Sequence, residues 1–221
     1  MRLIKPSFEI LTELDGMAIL KRIEAAGRTC YKSEDKITDD SAVEFVQGIM
    51  KRGHLSVIEH ESLSVRFIID RGVSHELVRH RLCAFSQEST RYVKYDGKME
   101  FIIPPWVSIE PNQNYNVEID TIFDDIVDII RAPADFTWYK HLLQAEKNYL
   151  ELLKQGWRPQ QARSVLPNSL KTEIVTTCNL REWRHILTLR TSKAAHPQIR
   201  EVMIPLLAKL KQEIPVIFDK V

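Results

Sequence analysis

Glycine is scarce in this chain, with seven in 221 residues. No stretch reads GxGxxG and none reads GxxxxGKS/T, so a bound nucleotide has to be held by side chains and not by a glycine cradle. Cysteine is scarcer still. Cys30, Cys83 and Cys178 are odd in number and far apart. That pattern makes neither a disulfide framework nor a CxxC metal site, and it fits a reducing, cytoplasmic setting. Charge of one sign is also lacking. The formal net charge is +1, which removes any global case for a nucleic-acid or membrane-surface partner and leaves only local charge effects. No run approaches the roughly 18 apolar residues of a membrane span. The opening MRLIKPSFEI has no apolar core, so no signal peptide is expected.

What is present suits one domain, since no linker interrupts the pattern. Residues 2–10 read as a short strand. Leu14–Ala26 reads as a helix stopped by Gly27, and Ser41 with Glu44 as a capping box opening a helix closed by Gly53. Residues 62–69 alternate, with Leu63, Val65, Phe67 and Ile69 on one side, and predict a half-buried strand. Asp96-Gly97 marks a turn. Ile119, Ile122, Phe123, Ile126 and Ile130 space as a helix that Pro133 ends or kinks. A longer helix is expected over about 134–155 with Gly156 as its cap, and a short one from Pro159 to Pro167. Residues 171–178 predict a second strand, Asn179 with Glu182 an N-cap, and Pro197 the start of the last helix. The expected fold is α+β: helices packed around a small, mostly antiparallel sheet.

The chemistry concentrates in Asp70–Asp96. Arg71, Arg79, Arg81 and Arg91 lie here with His75 and His80, between apolar Val73, Leu77, Val78, Leu82 and Phe85. Read as a helix, Arg79-His80-Arg81 covers most of the girth, and an inward guanidinium needs an anion or a carboxylate. Arg presents a fork that suits phosphate. The alternatives are a solvated basic patch or ion pairs within the chain. Gln87, Glu88, Ser89 and Arg91 follow as a polar loop, able to hold a heterocycle and a phosphate or simply to make a turn. Ser89 lacks a GxSxG elbow. His75 and Glu76 open HExxRH, not HExxH, and no metal is expected. Arg163 and Arg190 are further cations near helix ends, where the helix dipole is a sufficient reason for them. Cys83, inside the expected helix, is either a nucleophile whose pKa the neighbouring cations lower or, more often at such a position, a buried and inert packing residue. A nucleic-acid module with Phe85, Tyr92 and Tyr95 stacking on bases is a competing class, and so is a structural oligomer.

Arg79-His80-Arg81, seven residues, then Ser89 resembles the signature of the flavin-dependent thymidylate synthases. The likeness runs from Arg28-Thr-Cys-Tyr31 and Gly53-His54 through 75–92, Ala162–Pro167, Asn179, Leu189-Arg190 and His196. It implies one synthase domain over 1–221 that forms homotetramers with shared active sites. The implied reaction is reductive methylation of dUMP to dTMP, with 5,10-methylenetetrahydrofolate as carbon donor and NADPH as reductant through FAD. The implied cofactor-binding positions are Cys30, His54, Ser56, Arg79, His80, Arg81, Glu88, Asn179 and His185. The implied dUMP-binding positions are Glu76, Arg79, Gln87, Glu88, Ser89, Arg91, Arg163 and Arg190, with Ser89, Arg190 and Arg79 catalytic. Gln87 and His185 stand where members often carry asparagine, and Cys30 where serine is common, so hydrogen-bond reach differs there.

Overall fold

The computed structural model describes residues 1–97, 99–112, 118–125 and 127–221. The chain divides into two units that interleave in sequence. The first is Met1–Ser7, Ile68–Leu77 and Gln87–Ile174; the second is Phe8–Phe67, Val78–Ser86 and Val175–Val221. Because each is assembled from separate stretches, no composition shift or linker marks the division. The class is α+β, with helices around a small antiparallel sheet.

In the first unit, β1 (Arg2–Ile4) pairs in parallel with β5 (Glu100–Ile102), Leu3 opposite Phe101. The helices of this unit are α3 (Arg71–Leu77), α4 (Pro133–Lys154) and α5 (Pro159–Ala162). Leu3, Met99, Phe101, Ile103, Leu142 and Tyr149 form its core. The second unit carries α1 (Gly16–Thr29), α2 (Ser41–Arg52), α6 (Leu180–Arg190), α7 (Pro197–Glu213) and α8 (Pro215–Phe218). Gly27 lies inside α1, and a Cβ there would stand 2.7 Å from the Phe45 ring. Its small size lets α1 and α2 close together. Trp183 of α6 is fully buried and its indole N–H donates to the carbonyl of Leu63 at 3.0 Å. Four further strands lie in the order β2-β3-β6-β4: β2 (Ser7–Ile10), β3 (Ser62–Asp70), β4 (Ala84–Gln87) and β6 (Lys171–Asn179). Leu63, Val65, Phe67 and Ile69 are all buried, as their alternation requires. No helix among the described residues is long and apolar enough to cross a membrane.

Several expectations are corrected. The helix after Asp70 is a single short element. Asp70 caps it by accepting from the Val73 N–H at 2.7 Å, and it ends at Leu77. Arg79-His80-Arg81 and Cys83 therefore lie outside any helix, and Ala84–Gln87, expected as the end of that helix and the start of a polar loop, is a strand. The expected strand over 2–10 is broken at Pro6, and its halves join different sheets. Gly27 continues α1 and does not stop it. Ser41 is not the cap of α2; its hydroxyl serves Thr38 and Glu24 instead. Between 119 and 130 the described residues hold one short 3-10 turn, Phe123–Asp125. Ile126 lies outside the described residues, and Pro133 starts α4 where the sequence pattern had it ending a helix.

Candidate active site

Each unit holds one polar cluster drawn from the residues singled out by sequence. In the second unit the cluster centres on His80, only 6% exposed. α6 supplies its surroundings. Asn179 starts that helix by accepting from the Glu182 N–H at 2.9 Å, which fixes where Glu182, His185 and Arg190 project. The Arg190 Nε–H donates to His80 Nε2 at 3.0 Å, and Glu182 Oε1 lies 3.8 Å from His80 Nδ1. The His185 ring meets His80 edge-on, centroids 6.0 Å apart. Burial first, then the Arg190 guanidinium and His185, push the His80 pKa down to about 4. His80 is thus neutral at pH 7, with Nε2 as acceptor and the proton on Nδ1, toward Glu182.

A cavity of about 580 Å³ opens beside this cluster, lined by Glu59, Leu82, Asn179, Arg181, Glu182 and His185. Two expected cofactor positions, Asn179 and His185, share its wall. Arg79 and Arg81 are exposed and make no hydrogen bond or ion pair among the described residues. Cys30 at the end of α1, and His54 and Ser56 around the 3-10 turn Leu55–His60, are also exposed.

Ligand atoms of His80, Glu182 and His185 fall within 4.8 Å of one another. The donor chemistry does not suit a cation. The Nε2 lone pair of His80 already accepts from Arg190, and a metal there would sit against a guanidinium.

In the first unit the cluster centres on Glu88. Its Oε1 accepts from the Tyr95 hydroxyl at 2.5 Å and its Oε2 from Lys171 Nζ at 3.1 Å. Lys171 also bonds Glu173 at 2.7 Å. Burial lowers the Lys171 pKa, but the bonds to Glu173 and Glu88 outweigh it, and the ammonium is held above its usual range. Burial and then the bond to Glu88 raise the Tyr95 phenol, which stays protonated. Gln87 Nε2 donates to Ser74 Oγ at 2.9 Å and Thr172 Oγ1 at 3.2 Å. That leaves the amide oxygen of Gln87 as its free acceptor. Arg71 Nη1 donates to the Glu88 carbonyl at 3.2 Å. Ser89 turns the chain, accepting from the N–H groups of Tyr92 and Val93. Arg91 and Arg163 are exposed; Arg163 Nη1 donates to Thr90 Oγ1 at 3.1 Å, and Arg91 lies 5.3 Å over the Tyr92 ring. Glu76 is half-buried on α3.

Sequence reasoning missed Lys171 and Tyr95 as supports of Glu88, and Glu182 as the carboxylate facing His80. The alternation of buried Thr172 with half-buried Lys171 and Glu173 carried a faint signal for the first. It also missed Arg184 of α6, where burial lowers the guanidinium pKa and Nη1 has no partner among the described residues.

Fold and site together define a glycine-poor α+β protein whose signature arginines, Arg79 and Arg81, have no carboxylate partner among the described residues. Comparison narrows this. A family model described as thymidylate synthase complementing protein matches residues 14–216. The flavin-dependent thymidylate synthase of Corynebacterium efficiens is 36% identical over 222 residues, spanning 96% of this chain and 84% of that protein. That of Mycolicibacterium vanbaalenii is 37% identical over 214 residues, spanning 94% and 81%. The crystal structure of the UMP/dUMP methylase PolB from Streptomyces cacaoi, bound with 5-Br dUMP, superposes with a TM-score of 0.74 over 99% of this chain and 96% of that one. At 24% identity that likeness speaks for the fold alone. The chain belongs to the flavin-dependent thymidylate synthase family.

Proposed function

We propose that this chain is an FAD-dependent thymidylate synthase that methylates dUMP to dTMP, with 5,10-methylenetetrahydrofolate as carbon donor and NADPH as reductant. One observation carries the reading beyond family membership. Arg2, Arg22, Arg28, Arg66 and Arg181 each sit on a carboxylate. Arg79, Arg81, Arg91 and Arg163 have no carboxylate partner among the described residues. These cations are thus available to anionic ligands, as Arg52, Arg131 and Arg158 also are, and the signature assigns them to a phosphate-bearing substrate and cofactor.

The residues fit a flavin dinucleotide by their donor set: unpaired guanidiniums for phosphates, and a neutral imidazole with amide donors for the ring edge. Arg79, His80, Arg81, Asn179 and His185, with Cys30, His54, Ser56 and Glu88, would hold it. Bound FAD supplies the hydride-transfer chemistry. The chain's own part is placement and charge. Arg91, Arg163 and Arg190 neutralise the dUMP phosphate, Glu76 and Gln87 orient the nucleotide, and Ser89 donates to the pyrimidine. Arg79 and Arg190 stabilise negative charge developing on the ring. Glu88 acts from a fixed position, because Tyr95 and Lys171 hold its carboxylate.

Residues 1–221 act as one synthase domain, in a cytoplasmic homotetramer whose sites draw on several copies. Exposed Tyr31, Leu82 and Tyr92, at 80%, 77% and 77%, support burial against further copies. The near-zero net charge supports a protein without nucleic-acid or membrane partners.

The test is the absorbance spectrum of purified protein, then NADPH oxidation with and without dUMP and release of tritium from C5-labelled dUMP. A flavin band with dUMP-dependent turnover is expected. Colourless protein, or oxidation indifferent to dUMP, would sink the proposal.

A further inference from the structure

The mechanism leaves two thiols unused, and they face each other. β4 lies beside β6, and the Glu88 N–H donates to the Glu173 carbonyl at 2.9 Å. Stepping along that antiparallel register brings Cys83, just ahead of β4, opposite Cys178 near the end of β6. Carried one residue beyond β4 the step count is odd, which makes this a non-hydrogen-bonded position, the kind whose side chains approach most closely. Its typical Cα separation of about 4.5 Å falls within the range that a disulfide bridges. Each thiol is also the largest influence on the other's ionisation, as adjacent sulfurs are. Cys83 is half-buried and reachable, whereas Cys178 is 5% exposed.

The pair is polarised. Cys178 lowers the Cys83 pKa against the opposing effect of burial, while Cys83 and burial raise Cys178. Cys83 is the attacking sulfur and Cys178 the resolving one.

We propose that Cys83 and Cys178 form a redox-active pair that closes to an intramolecular disulfide under peroxide. In the first step the Cys83 thiolate attacks one peroxide oxygen. The O–O bond breaks, hydroxide leaves, and Cys83 becomes a sulfenic acid. The Cys178 sulfur then attacks Cys83. The S–S bond forms as S–O breaks, and the departing hydroxide takes up the Cys178 proton as water. The two thiols lose two electrons, and one peroxide becomes two waters.

Closure reaches the second-unit cluster by one backbone hydrogen bond at one end and by one residue at the other. The Cys83 N–H donates to the His80 carbonyl at 3.2 Å. Cys178 directly precedes Asn179, the cap of α6. Resting on the function proposed above, the disulfide shifts His80 and Asn179 and slows turnover.

The test treats the full-length protein with hydrogen peroxide, alkylates remaining thiols and maps peptides without reductant. A Cys83–Cys178 linked peptide that dithiothreitol reverses is expected in wild type and in Cys30→Ser. It should be missing in Cys83→Ser and Cys178→Ser. Cys83 over-oxidised while Cys178 stays alkylatable, Cys83 linked between chains, or both thiols alkylated would each overturn the pair. Turnover of oxidised wild type should fall by about tenfold or more, given the cost of ångström-scale displacement at a site. It should recover with dithiothreitol, and Cys178→Ser should not lose activity in this way. A mapped disulfide with unchanged turnover removes the regulatory role. Reduced protein without dUMP-dependent turnover also removes it, by defeating the functional reading, and the peptide map still decides the thiol pair.

Discussion

Around Glu88, in the first unit, the carboxylate is matched on both oxygens: Lys171 lies between Glu88 and Glu173, and Tyr95 closes the remaining carboxylate oxygen. Around His80, in the second unit, a neutral imidazole takes the hydrogen bond of Arg190, and Arg79 and Arg81 stand nearby in sequence without acids. The first cluster is complete as it stands. The second holds positive charge in reserve. Half-buried matched charges hold their own geometry, whereas unmatched guanidiniums gain most when an anion arrives. The contrast separates a cluster whose loss appears in stability as well as in ligand binding from one whose loss appears chiefly in turnover.

The largest effect tests the binding side. Arg190→Ala removes both a cation proposed to meet the substrate and the donor to His80. The dUMP-dependent turnover should fall about 100-fold or more, in line with losing one preorganised electrostatic contact. The unfolding midpoint should move far less than turnover. A variant that unfolds early yet keeps its activity when folded would reverse the assignment of the two clusters.

Glu88→Ala tests the other side. It leaves the half-buried Tyr95 hydroxyl without its acceptor and Lys171 with only Glu173. A loss of about 2 kcal/mol in urea unfolding is expected. Glu88→Gln keeps an amide oxygen for Tyr95 and should lose less than half of that. Equal losses in the two variants would show that shape, not hydrogen bonding, is what Glu88 supplies.

Acid sharpens the comparison through His80. Its folded pKa of about 4 lies below the ordinary 6.5, so between those values the unfolded chain binds the extra proton. Stability from the neutral form is complete above pH 6.5 and is lost as pH falls toward 4, by roughly 3 kcal/mol at most. Protonation also takes away the acceptor used by Arg190. Thermal melts from pH 7.5 to 4.5 should fall more steeply for wild type than for His80→Asn. Parallel slopes would mean that another group governs acid lability.

How much of this was legible depended on range. β3 could be read because alternation is local, and the Asn179 cap because both partners lie within one turn. Arg79-His80-Arg81 was misread as helical because its apolar neighbours mimic a helix period. What ends the helix at Leu77 is tertiary: His80 turns inward to meet Arg190 and Glu182, far along the chain. The Lys171–Glu88 contact joins residues 83 positions apart in the sequence, and nothing in either stretch announces the other. The two units escaped notice for the same reason, since interleaved segments leave no boundary. The signature exposed the site's membership, while the residues that hold it in place, Tyr95, Lys171 and Glu182, came only from three-dimensional contacts.

The smallest expected effect isolates substrate charge from everything else. Arg91 is exposed, lies over the Tyr92 ring, and has no carboxylate partner among the described residues. Arg91→Ala buries no orphan and opens no cavity, so stability should stay within about 0.5 kcal/mol of wild type. If Arg91 meets the dUMP phosphate, KM for dUMP should rise about tenfold, the equivalent of one charge-assisted hydrogen bond at roughly 1.4 kcal/mol. Flavin content, read from the absorbance ratio, should not change, because the proposed flavin contacts lie elsewhere. Loss of flavin with KM unaltered would move Arg91 from the nucleotide set to the cofactor set. The division of labour between the two clusters would then have to be redrawn around residue 91.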